Sequence, residues 1–315
     1  MTGVTGVAHA SVAADYEEHR RFLWALCYRM LGSAADAEDV VQDTFVKAME
    51  RPARRTGDPI RPWLVKVALN RSRDLLRMRR RREYVGPWLP SPVETGDDSP
   101  PAHEPAIDGV AALEGRYDLL ESVSFAFLLA LEVLTPTQRA VLLLRDVFDY
   151  SVRETADALD LSEANVKTTH HRARGAMQAY DGPLRRPSDG AQQSARTALA
   201  AFLERLQQHD VRGVEALLAG DVRALTDGGG EYRSALLPIV GRDKVARFFV
   251  AVAAVGPGIR ARMTMLNGMP AVIVDVPSPG DRLAPRVALT LDVDRDGGIS
   301  RVYAVSATRK LTALR

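Results

Sequence analysis

The sequence has very little cysteine and no long apolar run, and each absence excludes a class of protein. Cys27 is the one cysteine among 315 residues, so a disulfide framework and a zinc ribbon are excluded. Because it lies within an apolar helical pattern, we expect it to pack in a core rather than act as a nucleophile. No window holds 18 uninterrupted apolar residues, so no transmembrane helix is expected. The first 15 residues contain no lysine or arginine, unlike a secretory signal peptide. We expect a cytoplasmic protein with no membrane partner.

The net charge of +2 hides charges that are segregated along the chain. Between Arg71 and Arg82 there are seven arginines and one acid, whereas Glu94–Glu121 holds eight acids and one arginine. A basic run of this density is typical of a surface that binds an anionic partner. The acidic run that follows could mask that surface within the same chain.

Residues 15 to about 84 carry three helical patterns. Apolar spacing predicts helices over Asp15–Leu31, Ala34–Glu50 and Ile60–Arg82. Gly32 ends the first helix, and Ser33 is placed to cap the second.

The second and third of these helices have contrasting faces. The second pairs an apolar stripe with a polar face that consists of Asp36, Asp39, Gln42, Asp43 and Lys47. In the third, Trp63, Val67 and Leu75 are expected at apolar positions, ahead of the arginine run. Trp63 either packs in the core or stacks on an unpaired base, and both readings stay open.

Residues 152–177 predict a helix-turn-helix. Ala156 and Leu159 pack a short helix, and Ser162 is placed to cap the next one. In that helix Val166 and Ala173 mark the buried face, together with His170 and Met177. The opposite face carries polar and basic side chains, namely Asn165, Lys167, Thr168, His171, Arg172 and Arg174. A face of this kind is suited to a DNA major groove, with polar groups on base edges and cations on phosphates.

The last part of the chain changes from helices to strands. Helical stretches near Gln193–Leu218 and Lys244–Ala254 precede alternating runs that predict strands. Asn267-Gly268 between two such runs predicts a hairpin turn. A second pair of strands is expected over Arg286–Val293 and Ile299–Ala307. Helices followed by an antiparallel meander predict an α+β domain.

Three segments, in order, resemble bacterial sigma factors of the sigma-70 family. DAEDVVQDTFVKAME (Asp36–Glu50) is similar to the helix that binds core RNA polymerase, and Arg61–Arg82 is similar to the helix that engages the −10 promoter element. Leu134–Met177 resembles the domain that reads the −35 element. Two such domains with no third between them resemble the extracytoplasmic-function (ECF) subgroup.

Two further motifs resemble an ECF subgroup with a fused C-terminal SnoaL-like domain, a cone-shaped α+β unit. They are GPWLPSPV (Gly86–Val93) and DGGG (Asp227–Gly230), and Gly213–Phe249 fits the helix, strand and helix order of that fold. Only Lys310 and Leu311 match the subgroup's C-terminal motif, and Glu231 stands where a basic residue is usual.

The resemblance implies five segments and a multidomain fold. Sigma domain 2 covers 12–85, a linker with the Trp-Leu-Pro element 86–120, and sigma domain 4 covers 121–181. A short linker covers 182–191 and the SnoaL-like domain 192–315. We expect two all-α sigma domains followed by an α+β domain.

The resemblance also assigns roles to residues. The polar face with Asp36, Asp39, Gln42, Asp43 and Lys47 would dock on the large-subunit clamp of core RNA polymerase. Promoter DNA would be opened near 51–59 and held at the −10 element by Trp63, Asn70, Arg73, Arg77, Arg79 and Arg80. The −35 element would be read by Asn165, Lys167, Thr168, Arg172 and Arg174. Asn70 is otherwise an ordinary residue of a helix surface.

The C-terminal domain leaves three readings open. Asp227 could act as a general base, the domain could hold a small-molecule ligand, or Asp227, Gly228, Gly229 and Gly230 could contact the linker at Trp88, Leu89 and Pro90 or the first two domains. We favour the contact, and we expect a sigma factor that is no enzyme, requires no cofactor or metal and is modulated by its own extension. The alternatives are a ligand-sensing helix-turn-helix regulator that acts without polymerase, and an isomerase-type enzyme with a DNA-binding appendage.

Overall fold

The computed structural model describes residues 3–50, 59–81, 84–95, 121–178, 189–254, 259–277, 279–280 and 282–314, with the side chains of 3–14, 80, 81, 189 and 191 excluded. The chain divides into two compact units: residues 1–82 with 100–185, and residues 83–99 with 186–315. Residues 51–58 of the opening loop expected at 51–59, and most of the two expected linkers, lie outside the described residues. No helix in the described part of the chain is both long enough and apolar enough to cross a membrane.

The first unit begins with three helices, α1 (Gly3–Leu31), α2 (Ala34–Glu50) and α3 (Arg61–Arg81). The turn after α1 uses Gly32 at φ +62°, and the Ser33 hydroxyl accepts from the backbone N–H of Asp36 at 3.2 Å, as the sequence predicts. Cys27 is buried in this core, and burial raises the pKa of its thiol to about 12, so it is unreactive at neutral pH.

The apolar face of α3 differs from the expected one. Trp63, Val67 and Leu75 are only half-buried, whereas the residues beside them fill the core, namely Leu64, Val65, Ala68, Leu69 and Leu76. A helix with arginines around much of its circumference gives a weak periodic signal, and the prediction was therefore displaced by one position. The second helix, by contrast, buries Val41, Phe45 and Ala48 as expected.

The second helical group comprises α4 (Phe125–Ala130), α5 (Pro136–Asp146), α6 (Val152–Leu159) and α7 (Glu163–Ala176). Thr135 and Ser151 form capping boxes at the starts of α5 and α6. Asp160 ends α6 in the left-handed region at φ +53°, and Ser162 caps α7 by accepting from the Asn165 N–H at 3.2 Å. The predicted turn of the helix-turn-helix and the predicted Ser162 cap are confirmed.

The described residues of the second unit form three α-helices and one six-stranded sheet. The helices are α8 (Asp189–Gln207), α9 (Val211–Leu217) and α10 (Arg242–Ala253), and the strands are β1 (Leu218–Asp227), β2 (Ile239–Val240), β3 (Arg260–Leu266), β4 (Met269–Asp275), β5 (Arg286–Val293) and β6 (Ile299–Val305). The strand order is β2-β1-β6-β5-β4-β3, in which β1 and β6 pair parallel and the other neighbours pair antiparallel.

The expected meander of β3 to β6 is present, and Asn267 and Gly268 form its first turn at φ +53° and +75°. The helical stretch expected near Gln193–Leu218 consists of two helices, α8 and α9. It breaks because His209 takes φ +53° and Asp210 caps α9 by accepting from the Gly213 N–H at 2.8 Å. One face of the sheet packs on the helices through a core that includes Phe202, Phe249 and Leu291.

Candidate functional site

A buried cluster around Asp227 joins the sheet to residues 84–95, which we call the strap. Asp227 is the last residue of β1 and is fully buried. Its carbonyl oxygen accepts from the N–H groups of Ser306 and Ala307, at 2.8 and 3.1 Å, so the chain beyond β6 turns over the end of β1. The strap and the C-terminal tail therefore meet at one carboxylate.

Four groups donate to the Asp227 carboxylate. Oδ1 accepts from the Tyr84 hydroxyl at 2.6 Å and from the Gly229 N–H at 3.0 Å. Oδ2 accepts from the Leu89 N–H at 2.7 Å and from Lys310 Nζ at 2.5 Å. Since each oxygen has two donors, the carboxylate is saturated and fixed in orientation.

Lys310 completes the cluster on the side of the strap. Its Nζ also donates to the Leu89 carbonyl at 2.5 Å and lies 4.4 Å from the Trp88 ring centroid and 4.7 Å from that of Tyr84. The side chain is 8% exposed, so the ammonium is almost withdrawn from water and is stabilised by the carboxylate, the carbonyl and the two rings.

The glycines after Asp227 permit this close approach. Gly229 takes φ +60°, and a Cβ on it would lie 2.9 Å from the Cβ of Ala307. Gly230 takes φ +78° and faces Val85 of the strap, where an added Cβ would have a contact at 3.4 Å. Gly228 lies inside the turn, against Ser234 and the Tyr232 carbonyl. Glu231 is exposed.

A second anchor holds the far end of the strap at the Asn267-Gly268 turn. The Asn267 side-chain oxygen accepts from the Val93 N–H at 2.9 Å, and the Asn267 N–H donates to the Val93 carbonyl at 2.9 Å. Thr95 donates its N–H to the Met265 carbonyl and accepts from the Gly268 N–H. Leu89, Pro90 and Val93 are buried, while Trp88 is half-buried. The strap is thus an integral part of the second unit.

The sequence predicts a contact between Asp227 and the linker at Leu89. It does not predict that Lys310, Tyr84 and Asn267 belong to the candidate site. In the sequence, Lys310 stands out only as a match to the subgroup's C-terminal motif. A buried aspartate at a strand end requires a cation. This requirement predicts a lysine or arginine close to Asp227, but it does not identify the residue.

The expected polymerase-docking face on α2 is exposed. Asp39, Gln42, Asp43 and Lys47 are all exposed, whereas Asp36 is half-buried. Asp43 pairs with Arg71 of α3 at 3.2 Å, in a solvated ion pair. Two large apolar side chains, Val46 and Met49, are also exposed on α2, at 47% and 49%.

The residues expected to read the −35 element divide into two sets. Asn165, Lys167, Thr168 and Arg172 are exposed on α7. Arg174 is half-buried and donates through Nε and Nη2 to Asp146, at 3.0 and 2.6 Å, while His170 Nε2 lies 2.8 Å from the same carboxylate. Burial alone would raise the pKa of Asp146, but the hydrogen bonds from His170 and Arg174 outweigh it and lower the pKa. Arg174 therefore fixes α7 to α5, a role that the sequence did not indicate.

The residues expected at the −10 element also differ in how far their side chains are exposed and in their partners. Asn70 is exposed and its side-chain oxygen lies 3.4 Å from Arg73 Nη1, and Arg77 pairs with Asp74 at 2.7 Å. Trp63 is half-buried. Arg73 and Arg79 contact the second helical group, and the Arg80 side chain lies outside the described residues.

Comparison with known proteins agrees with this architecture. A family model of sigma-70 region 2 matches residues 15–82, and one of sigma-70 region 4 matches residues 124–177. The chain is 33% identical to the ECF RNA polymerase sigma factor SigJ of Mycobacterium tuberculosis over 308 residues, which is 95% of this chain and 93% of that protein. It is 32% identical to SigG of the same organism over 313 residues, covering 93% of this chain and 80% of that protein.

The crystal structure of Mycobacterium tuberculosis SigJ is similar over almost the whole length. It gives a TM-score of 0.68 at 27% identity and covers 96% of this chain and 98% of that one. With two helical sigma regions followed by an α+β domain, the chain belongs to the ECF family of RNA polymerase sigma factors.

Proposed function

We propose that this sigma factor docks on polymerase through the exposed polar face of α2. Asp39, Gln42 and Asp43 present acidic and amide groups there, and the exposed Val46 and Met49 add apolar area to the same helix. A basic coiled coil on the large-subunit clamp would complement this charge. Loss of a carboxylate should weaken docking and make it less sensitive to salt.

Promoter DNA would meet two surfaces of the first unit. The exposed residues of α7, Asn165, Thr168 and Arg172, are placed for a major groove at the −35 element, with Lys167 on a phosphate. The basic helix α3 would hold the opened strand at the −10 element, where Asn70 is exposed for a base contact. Arg174, also expected at the −35 element, would serve first to hold α7 on α5, because its Nε and Nη2 both donate to Asp146.

The C-terminal domain would act on transcription through the strap. The observation that carries this proposal is the buried pair of Asp227 and Lys310, which binds Leu89 through both its N–H and its carbonyl group. The strap lies between the two sigma regions in sequence, so its attachment would set the distance at which the two DNA-reading surfaces work. Tight intramolecular attachment is favoured by the high effective concentration within one chain.

The same geometry favours a contact over catalysis at Asp227. A general base must accept a proton from a substrate, yet both oxygens of this carboxylate are occupied by four donors from the chain itself. The side chains of Phe202, Phe249 and Leu291 pack in the core between the sheet and the helices, so a small-molecule ligand in this domain is only a secondary proposal.

The proposal is tested with full-length protein and core polymerase in promoter-specific transcription. Asp39→Arg should weaken core binding, whereas Glu204→Arg, an exposed acid on α8, should not. Lys310→Met should change transcript yield while core binding stays intact, and Arg286→Met, which breaks an exposed pair with Asp275, should leave the yield unchanged.

Two outcomes would contradict the proposal. Binding of promoter duplex without any association with core polymerase would favour a ligand-sensing regulator. Equal transcript yields from Lys310→Met and Arg286→Met would show that the strap contact has no role in transcription.

A further inference from the structure

Threonine hydroxyls in the helices of this chain share a common hydrogen bond, and Thr169 on α7 departs from it. The common bond runs to the backbone carbonyl oxygen four residues earlier, and the described threonines that make it include Thr44, Thr155, Thr168 and Thr197. Thr169 instead donates to the side-chain Oδ1 of Asn165, at 3.0 Å. Its hydroxyl therefore acts on a neighbouring side chain rather than on the helix backbone.

Asn165 lies in the first turn of α7, which is the part of a recognition helix that contacts base edges in a major groove. Its backbone N–H donates to the Ser162 hydroxyl at 3.2 Å, which fixes the residue at the start of the helix. Asn165 is exposed, whereas Thr169 is half-buried beside it. Asn165 is thus held at its backbone by Ser162 and at its side chain by Thr169.

The hydrogen bond from Thr169 decides which group Asn165 offers to a base. An asparagine reads adenine with both of its amide atoms, since Oδ1 accepts from adenine N6 and Nδ2 donates to adenine N7. Because Thr169 holds Oδ1 of Asn165 towards the helix, the amide nitrogen is the group that remains for the base. A donor alone fits guanine, whose major-groove edge presents the N7 and O6 acceptors and no donor.

We propose that Thr169 is a positioning residue that sets the base preference of this sigma factor at one position of the −35 element. By holding Oδ1 of Asn165 towards the helix, it makes this side chain a donor and favours guanine over adenine at that position. The inference rests on the function proposed for α7. To read adenine, Asn165 would first lose its hydrogen bond to Thr169, and a bond of this kind is strong enough to shift the ratio of two bases roughly fivefold.

The test compares substitutions that differ by one hydroxyl group. Thr169→Val keeps the branched shape of the side chain and removes the donor, while Thr169→Ser keeps the donor and removes a methyl group. Thr197→Val on α8 is the matched control, because Thr197 is also a helical threonine but its hydroxyl donates to the backbone carbonyl of Gln193, at 3.0 Å. Asn165→Ala removes the amide itself.

Each full-length protein is assembled with core polymerase and transcribes a library with a randomised −35 element upstream of a −10 element selected with the parent. Sequencing of barcoded transcripts gives the base preference at every position of the −35 element. We expect the parent, Thr169→Ser and Thr197→Val to favour guanine over adenine at one shared position. Thr169→Val should lower this guanine-to-adenine ratio roughly fivefold and leave the other positions unchanged. Asn165→Ala should abolish the preference at the same position, and adding Thr169→Val to it should have no further effect.

The inference is overturned if Thr169→Val keeps the parent ratio, or if it changes a position that Asn165→Ala does not change. An equal loss of transcript from all templates would also overturn it, because a purely structural residue gives that result, as would a similar shift in Thr197→Val. A parent without any base preference in the −35 element would contradict the proposed function of α7, and this inference with it. A sigma factor whose −35 preferences depend on Arg172 but ignore Thr169 would retain the proposed function and lose this inference.

Discussion

Replacing Lys310 with methionine leaves the Asp227 carboxylate fully buried without its cation. Methionine keeps the approximate length of the side chain, so little packing volume is lost. Removing one partner of a buried pair costs about 3–5 kcal/mol, because an uncompensated charge remains in a site of low polarity. Asp227 is 0% exposed and Lys310 8% exposed, which places the pair in that class. The hydrogen bonds from Tyr84, Leu89 and Gly229 still stabilise the carboxylate, so we expect the free energy of unfolding to fall by about 3 kcal/mol.

The strap contains its own reporter for this experiment. The chain has three tryptophans, and Trp88 is the one beside Lys310, at 4.4 Å. Urea unfolding of a Trp24→Phe, Trp63→Phe background, followed by Trp88 fluorescence, therefore reports the second unit and the strap. A single free energy for the whole chain would not be defined, because the two units can unfold separately.

The matched control is Arg286→Met in the same sheet. Arg286 and Asp275 lie 2.6 Å apart but are 35% and 41% exposed, and exposed pairs contribute about 0–1 kcal/mol. Asp227→Asn combined with Lys310→Met removes both charges and should cost less than Lys310→Met alone. If Lys310→Met is no more destabilising than Arg286→Met, the buried pair does not hold the strap and the reasoning fails.

Three further changes test other parts of the structure. The pKa of Asp146 is lowered in the folded state, so its contribution to stability is complete above the unfolded pKa of about 3.9 and is lost below that value, as the pH falls through the lower folded pKa. Asp146→Asn should therefore flatten the acid limb of the pH dependence of stability, measured by urea unfolding between about pH 6 and 2. Gly229→Ala should destabilise the second unit by about 1–3 kcal/mol in thermal unfolding, and by more than Gly297→Ala, because both have positive φ but only position 229 has a neighbour within 4 Å of an added Cβ. Arg172→Ala should lower the slope of log affinity against log salt for −35 duplex by about 0.9, whereas Arg174→Ala should leave that slope unchanged and reduce stability instead.

Local structure was predictable wherever one short stretch of sequence decides it. Ser33 and Ser162 cap helices because each hydroxyl satisfies an N–H three residues ahead, and Asn267-Gly268 turns a hairpin because both residues accept positive φ. A helix end is likewise expected at His209-Asp210, and the chain turns there because His209 takes positive φ and Asp210 caps α9.

Long-range pairing could not be read from the same patterns. The parallel pairing of β1 with β6 joins Asp227 to Val305, and alternation within each strand says nothing about its neighbour. The strap has three prolines between residues 87 and 92 and little periodicity, so it resembled a linker, although its N–H and carbonyl groups bond to the sheet at both ends. Burial of Lys310 depends on this tertiary arrangement, which the lysine itself does not reveal.

The attachment of the strap predicts an effect on promoter geometry. While residues 84–95 are bound to the second unit, the chain between α3 and residue 121 has fewer independent arrangements than a free segment of the same length. The two DNA-reading surfaces should therefore favour a narrow range of separations. Releasing the strap with Lys310→Met should broaden that range. Templates selected from a library with randomised −35 and −10 elements would be rebuilt with spacers changed one base pair at a time and transcribed with core polymerase.

Under these conditions the parent and Arg286→Met should share one sharp spacer optimum, and Lys310→Met should transcribe templates on either side of it relatively better. Trp88 fluorescence in the Trp24→Phe, Trp63→Phe background shows independently whether the strap is released. The predicted link between the buried pair and promoter geometry is the restricted chain that the pair holds in place. If the strap is released and the spacer profile does not change, the buried pair does not influence promoter geometry and the prediction is wrong.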